Sequence, residues 1–355
     1  MNKPLLSLAT VLALALPAAA QDAPQGAPSP GEIVAAAPAA DWIAIAPEDL
    51  IVMTLAPDAA GEPRRVMIQL MPAPFSQGWV ANIRTLARAN WYDGIAVTRV
   101  QDNYVVQWGD PNGEDAAKAK PLPEGLRVMT DADYAVGDGD EGYAQARADL
   151  LERARIGAEI AQRNIERQAA ADKATRDGSA TAFIPRPIPG MVLVQKDPYA
   201  GAASFSAGWP VGIARDAIWP VHCYGMVGVG RNYSPDTGTG AELYTVIGHA
   251  PRHLDRNIAL VGRVVEGIEH LSSLPRGTGA LGFYETPAEH TPILSIRVAS
   301  DLPAAAQPRF QYLSTESESF ARYAEARANR RDPFFIVPAG GADICNIPVP
   351  VRRAP

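Results

Sequence analysis

Cysteine, histidine and net positive charge are all scarce in this 355-residue chain. Two cysteines, Cys223 and Cys345, allow at most one bridge; in an oxidising compartment they can pair, and otherwise they are two buried thiols. A net charge of −7 and a pI near 5.3 argue against binding a nucleic-acid backbone, which needs a basic face. They give no support for attraction to anionic lipid either. Among five histidines only His249 and His253 are closely spaced, but Pro251 between them breaks the helix that would aim both at one ion. No metal and no cofactor are expected. The apolar run Leu5–Leu16 is too short to cross a bilayer comfortably. Familiar enzyme motifs are missing as well. Asp236-Thr237-Gly238 occurs once where an aspartic protease needs two such triplets, so it is expected to make a turn. There is no G-x-S-x-G elbow, and Gly228-Val229-Gly230 lacks the third glycine of a dinucleotide loop.

With 47% hydrophobic and 20% charged residues, the chain has the composition of a globular protein with ample core material. Lys3, the run Leu5–Leu16 and Ala18-Ala19-Ala20 before Gln21 stand in the order of a cleavable signal peptide over residues 1–20. That order predicts a periplasmic or secreted protein. Residues 21–40, rich in Pro, Ala and Gly, read as a linker.

Asp41–Leu55 and Arg64–Leu70 are strand candidates separated by a Pro57–Pro63 turn. Ser76 stands where an N-cap belongs, ahead of Trp79, Val80, Ile83 and Leu86 at helical spacing. Next comes Trp91–Pro111, in which two β-rich runs flank a short polar turn, Gln101–Asn103, as in a hairpin. The first run carries one charge, Arg99, which must find a partner, a groove or solvent because burying it alone is costly. The segment Tyr143–Asp177 reads as a charged helix with an apolar stripe, packed on the body or serving as a docking arm for an envelope partner. Short strands are expected at Met191–Val194, Gly225–Val229, Glu242–Ile247, Ile258–Val265 and Pro292–Val298, with helices at Glu266–Leu274 and Ser317–Asn329.

Three blocks, in order, resemble cyclophilin-type peptidyl-prolyl isomerases. They are Arg99-Val100 through Gln107-Trp108-Gly109-Asp110, then Met226–Gly230 with Gly240–Tyr244, then Leu254-Asp255 through Gly262 to Gly267. The resemblance implies a mainly β fold: a closed antiparallel eight-stranded barrel capped by two helices. That barrel would span residues 41–112 and 191–301 as one discontinuous domain. A helical insertion over 113–190 interrupts it, and an extension over 302–355 follows.

Carried over by position, Arg99 is the catalytic arginine and Gln107 the residue that orients it. Tyr104, Val105, Met226, Tyr244 and Leu254 line the proline pocket, and Gly228, Glu242 and His253 also face substrate. Departures from the family pattern are Gly228 for an Asn, Glu242 for a Gln, His253 for a Trp and Ile258 for a His. Arg99 could instead make a structural ion pair with Glu242 or Asp110. The implied partners are proline-containing peptides and unfolded exported proteins. The altered positions also fit a second reading, a proline-peptide chaperone or scaffold with weak or no isomerase activity.

Overall fold

The computed structural model describes residues 27–140 and 197–355, with a part of 143–178 between them. The segment 1–20 read as a signal peptide and the strand expected at Met191–Val194 lie outside the described residues. In chain order the elements are α1 (Pro30–Ala35), β1 (Trp42–Ala44), β2 (Leu50–Leu55), β3 (Arg64–Leu70), α2 (Gln77–Arg88), β4 (Ala96–Val100) and β5 (Val105–Gly109). Then come β6 (Val136–Gly137), helical positions between 143 and 176 (α3), β7 (Ala202–Ser206), β8 (Trp209–Ile213), β9 (Ala217–Pro220), β10 (Met226–Val229) and β11 (Leu243–Val246). The rest are β12 (Leu260–Glu266), α4 (Glu269–Ser272), β13 (Thr291–Val298), β14 (Phe310–Leu313), α5 (Glu318–Ala328) and β15 (Val351–Arg353).

Eight strands close into a barrel in the order β10-β11-β5-β4-β13-β2-β3-β12, with every pair antiparallel. The expected fold class is the observed one. Alternation sends Ile51, Ile68, Leu70, Val227, Leu243, Val261 and Ile296 inward, where they meet Ile83 of α2 around a void of only about 10 Å³. The barrel interior is therefore a packed core rather than a ligand chamber, and any site must sit on its outer face.

Several local expectations are corrected. Asp41–Leu55 is not one strand: Pro47 opens a 3-10 turn over Pro47–Asp49, and β1 leaves the barrel to pair with β14. Ser76 does not cap α2, because its backbone is left-handed (φ 54°) and its side chain makes no capping bond. The stretch read as a linker contains α1, closed by a capping box between Ser29 and Glu32, with Ile33 buried in the main core. The range assigned to the barrel also holds β7, β8 and β9, which join β6 of the insertion in a separate sheet, β6-β9-β8-β7, and the extension contributes β14 and β15 to a third sheet, β1-β14-β15. At α3, Tyr143 and Leu150 are buried on the body.

Two contacts tie these outer sheets to the barrel. Arg263 of β12 is fully buried, donates to Gln69 Oε1 (2.9 Å) and the Gly208 carbonyl (2.8 Å), and lies over the Trp209 and Tyr312 rings. Burial pushes its guanidinium down to about 10, so it remains charged at neutral pH. The second contact is a disulfide joining Cys223, just before β10, to Cys345 in the turn Ile344–Asn346, with the Cα atoms 5.1 Å apart. It closes a loop across 122 positions of sequence. Replacing both cysteines by serine is expected to lower the unfolding free energy by about 4–5 kcal/mol in the chain-entropy picture. Denaturant titration of the variant against the oxidised parent checks this.

Candidate active site

A single cross-strand row organises the outer face. Arg99 on β4 lies opposite Gln107 on β5, Gln107 opposite Tyr244 on β11, and Tyr244 opposite Gly228 on β10. Residues so paired share a face and touch. A register shift between Val97 and Arg99 bends β4 at this point. The loop before β11 is fixed from behind by α2, where Trp79 Nε1 donates to the Thr237 and Gly238 carbonyls and Asn82 Nδ2 to Thr239. Asp236-Thr237-Gly238 is the turn expected from sequence, with the Gly238 amide donating to Asp236 Oδ1.

Arg99 is held by neutral oxygens. Its Nε donates to the Leu281 carbonyl (2.7 Å), Nη1 to Gln107 Oε1 (2.9 Å), and Nη2 to Gln101 Oε1. Its guanidinium lies between the rings of Tyr104 (5.6 Å) and Phe283 (5.2 Å). Burial lowers its pKa from the ordinary arginine value, and the neighbouring Tyr104 and Glu242 oppose that shift. The alternative ion pairs do not form. Asp110 instead accepts from the backbone of Asn112 and Lys120, and Glu242 reaches Arg99 only through Gln107, whose Nε2 donates to Glu242 Oε1.

This chain of contacts fixes a direction. An ionised carboxylate only accepts, so Gln107 must turn its Nε2 toward Glu242, which leaves Oε1 for the arginine. Burial pushes the Glu242 carboxyl above its ordinary value, while the bond from Gln107 pulls the other way.

Beside the arginine, Val105, Tyr244 and Val246 form a buried apolar cluster with Tyr104 and Ile258 packed against it. It opens on a groove of about 730 Å³. Of the residues singled out from sequence, Arg99, Tyr104, Val105, Gln107, Glu242, Tyr244 and Leu254 line this groove. Met226 and Gly228 do not line it: Met226 packs in the main core, and Gly228 leaves space for the Tyr244 phenol, which a β-carbon there would meet at 2.3 Å. His253 is exposed and stacks on the outer side of Tyr104 (centroids 6.5 Å apart). Sequence reasoning missed Gln101, Leu281 and Phe283. The last two come from a loop about 180 residues beyond Arg99, and only the glycine-rich run Gly277–Gly282 hints at a shaped turn there.

The family model for cyclophilin type peptidyl-prolyl cis-trans isomerases matches residues 65–298, about two thirds of the chain. Among solved structures, the cyclophilin AquaCyp293 from Hirschia baltica is similar, with 19% identity and a TM-score of 0.55, over 88% of this chain and 92% of that one. A cyclophilin type isomerase from Cryptosporidium parvum, solved in the presence of the dipeptide Ala-Pro, aligns over 70% of this chain and 98% of its own, with 9% identity and a TM-score of 0.32. No curated protein matches the sequence. The match over residues 65–298 and the closed barrel agree: the chain belongs to the cyclophilin-type peptidyl-prolyl cis-trans isomerase family.

Proposed function

We propose that the chain accelerates rotation about X–Pro bonds in peptides and unfolded exported proteins, with Arg99 as the group that lowers the barrier. A peptide bond resists rotation by about 18–20 kcal/mol because nitrogen shares its lone pair with the carbonyl. At X–Pro the two isomers differ by only about 0.5–1 kcal/mol, so the rate is the bottleneck. Catalysis needs neither nucleophile nor cofactor. It needs an apolar socket for the proline ring and a fixed cation near the prolyl nitrogen, whose lone pair is released only in the twisted state. That contact is stronger in the transition state than in either ground state.

The observation that carries this reading is the placement of the Arg99 guanidinium, fixed by Gln107, Gln101 and the Leu281 carbonyl, at the edge of the Val105–Tyr244 cluster. Arginine keeps its charge there and offers a planar fork to those acceptors. Export to the periplasm or beyond is supported by the order of Lys3, Leu5–Leu16 and Ala18–Ala20, and by the Cys223–Cys345 disulfide. A second reading, a proline-peptide holder of low turnover, is favoured by the Phe283 ring over one face of the guanidinium.

Two measurements follow. Arg99→Ala is expected to lower kcat/KM for a proline tetrapeptide by about 10²–10³, with an unchanged unfolding midpoint. NMR exchange spectroscopy on wild type and variant checks it, and a wild type that binds the peptide without speeding exchange moves the protein to the second reading. For Glu242, acidification through its raised pKa protonates the carboxyl, which can then donate as well as accept. Gln107 is no longer forced into one orientation, so kcat/KM falls by about twofold on the acid side. Glu242→Gln is expected to sit at that lower level with a flat profile over the same range.

A further inference from the structure

Behind the pocket runs a buried chain of polar side chains. The hydroxyl of Tyr244 lies 2.9 Å from His222 Nε2, and His222 Nδ1 lies 2.9 Å from Asp255 Oδ1. Asp255 Oδ2 accepts from Arg252 Nε at 2.6 Å, and Arg252 places Nη1 and Nη2 on the two oxygens of Asp197 at 2.8 and 3.0 Å. All five residues are buried, His222 to 1% exposure and Arg252 to 3%. A chain so satisfied is rigid, and leaving one member unpaired is costly.

Its polarity can be read off. The Asp255 carboxylate only accepts, so the His222 Nδ1 carries the proton and Nε2 is left to accept from the Tyr244 hydroxyl. Burial keeps the imidazole below its ordinary pKa, in keeping with a neutral ring, and holds the phenol well above its own. The tyrosine ring is therefore tethered at its far end, with its hydroxyl turned away from the groove and its body forming the groove wall. Gly228 makes this tilt possible, since any β-carbon there would overlap the phenol.

We infer that His222 is a positioning residue for the proline pocket: backed by Asp255, Arg252 and Asp197, it holds the Tyr244 ring at the angle that fits a prolyl ring. The inference rests on the isomerase reading only for the identity of the ligand. A wall that touches the proline in ground and transition states alike changes KM and leaves kcat in place.

The test uses the full chain, a proline tetrapeptide, and two readouts: Kd by NMR titration and KM with kcat by NMR exchange. Tyr244→Phe, which removes one oxygen, is expected to raise Kd and KM by about tenfold with kcat within about twofold of wild type. His222→Leu should do the same, while His222→Gln, which still offers an acceptor to the phenol, should recover most of the loss. In the Tyr244→Phe background, His222→Leu and wild-type His222 should bind the peptide equally. An unchanged Kd in Tyr244→Phe overturns the proposal, as does a His222 effect that persists at full size without the hydroxyl. Should His222→Leu fail to fold, Tyr244→Phe decides alone. Since Kd needs no turnover, a wild type without isomerase activity defeats the functional reading and leaves this test standing.

Discussion

The site depends on the requirement that a carboxylate can only accept hydrogen bonds. Glu242 imposes it on Gln107, Gln107 passes it to Arg99, and the guanidinium is left with one orientation beside the apolar cluster. Because none of these links is an ion pair with the arginine, its charge is not cancelled by a neighbour in direct contact. A direct Glu242–Arg99 pair would have neutralised the cation at the edge of the groove. The amide between them keeps the geometry and spares the charge.

The barrel was legible through the resemblance of three blocks, and its strands and hairpin because their signals are local. Period-2 alternation in Arg64–Leu70, the polar turn at Gln101–Asn103 and the lone charge at Arg99 each report on a few neighbouring residues, and the structure places them as read. What stayed hidden came from chain distant in sequence. Leu281 and Phe283 reach Arg99 through β13's preceding loop, and His222 meets Tyr244 only because β10 and β11 pair. Composition misled in α1, where the Ser29–Glu32 box and two buried side chains, Pro30 and Ile33, outweigh a Pro/Ala-rich background. The family pattern misled at Met226, which it assigned to the pocket although the side chain packs in the main core cluster and does not line the groove.

The sheets added to the barrel share one device. Arg263, with two aromatic rings over its guanidinium and two oxygens on its donors, stands where β8, β12 and β14 meet. A buried cation without a carboxylate is costly in isolation, and here the rings and carbonyl dipoles offset that cost. The disulfide fixes the same periphery covalently, one residue from the imidazole behind the pocket. Accessory structure and groove are thus mechanically close although they lie far apart in sequence.

One feature of the barrel governs how the chain can reach this state. β13 lies between β2 and β4, pairing Ile293 with Leu55 and Thr291 with Val97. Until residues 291–298 arrive, both partner strands carry open, apolar edges, and such edges invite pairing with other chains. A chain that emerges from its N-terminus must therefore hold two sticky strands apart through more than half its synthesis. Its assembly is a late, long-range event, set by the arrival of one strand.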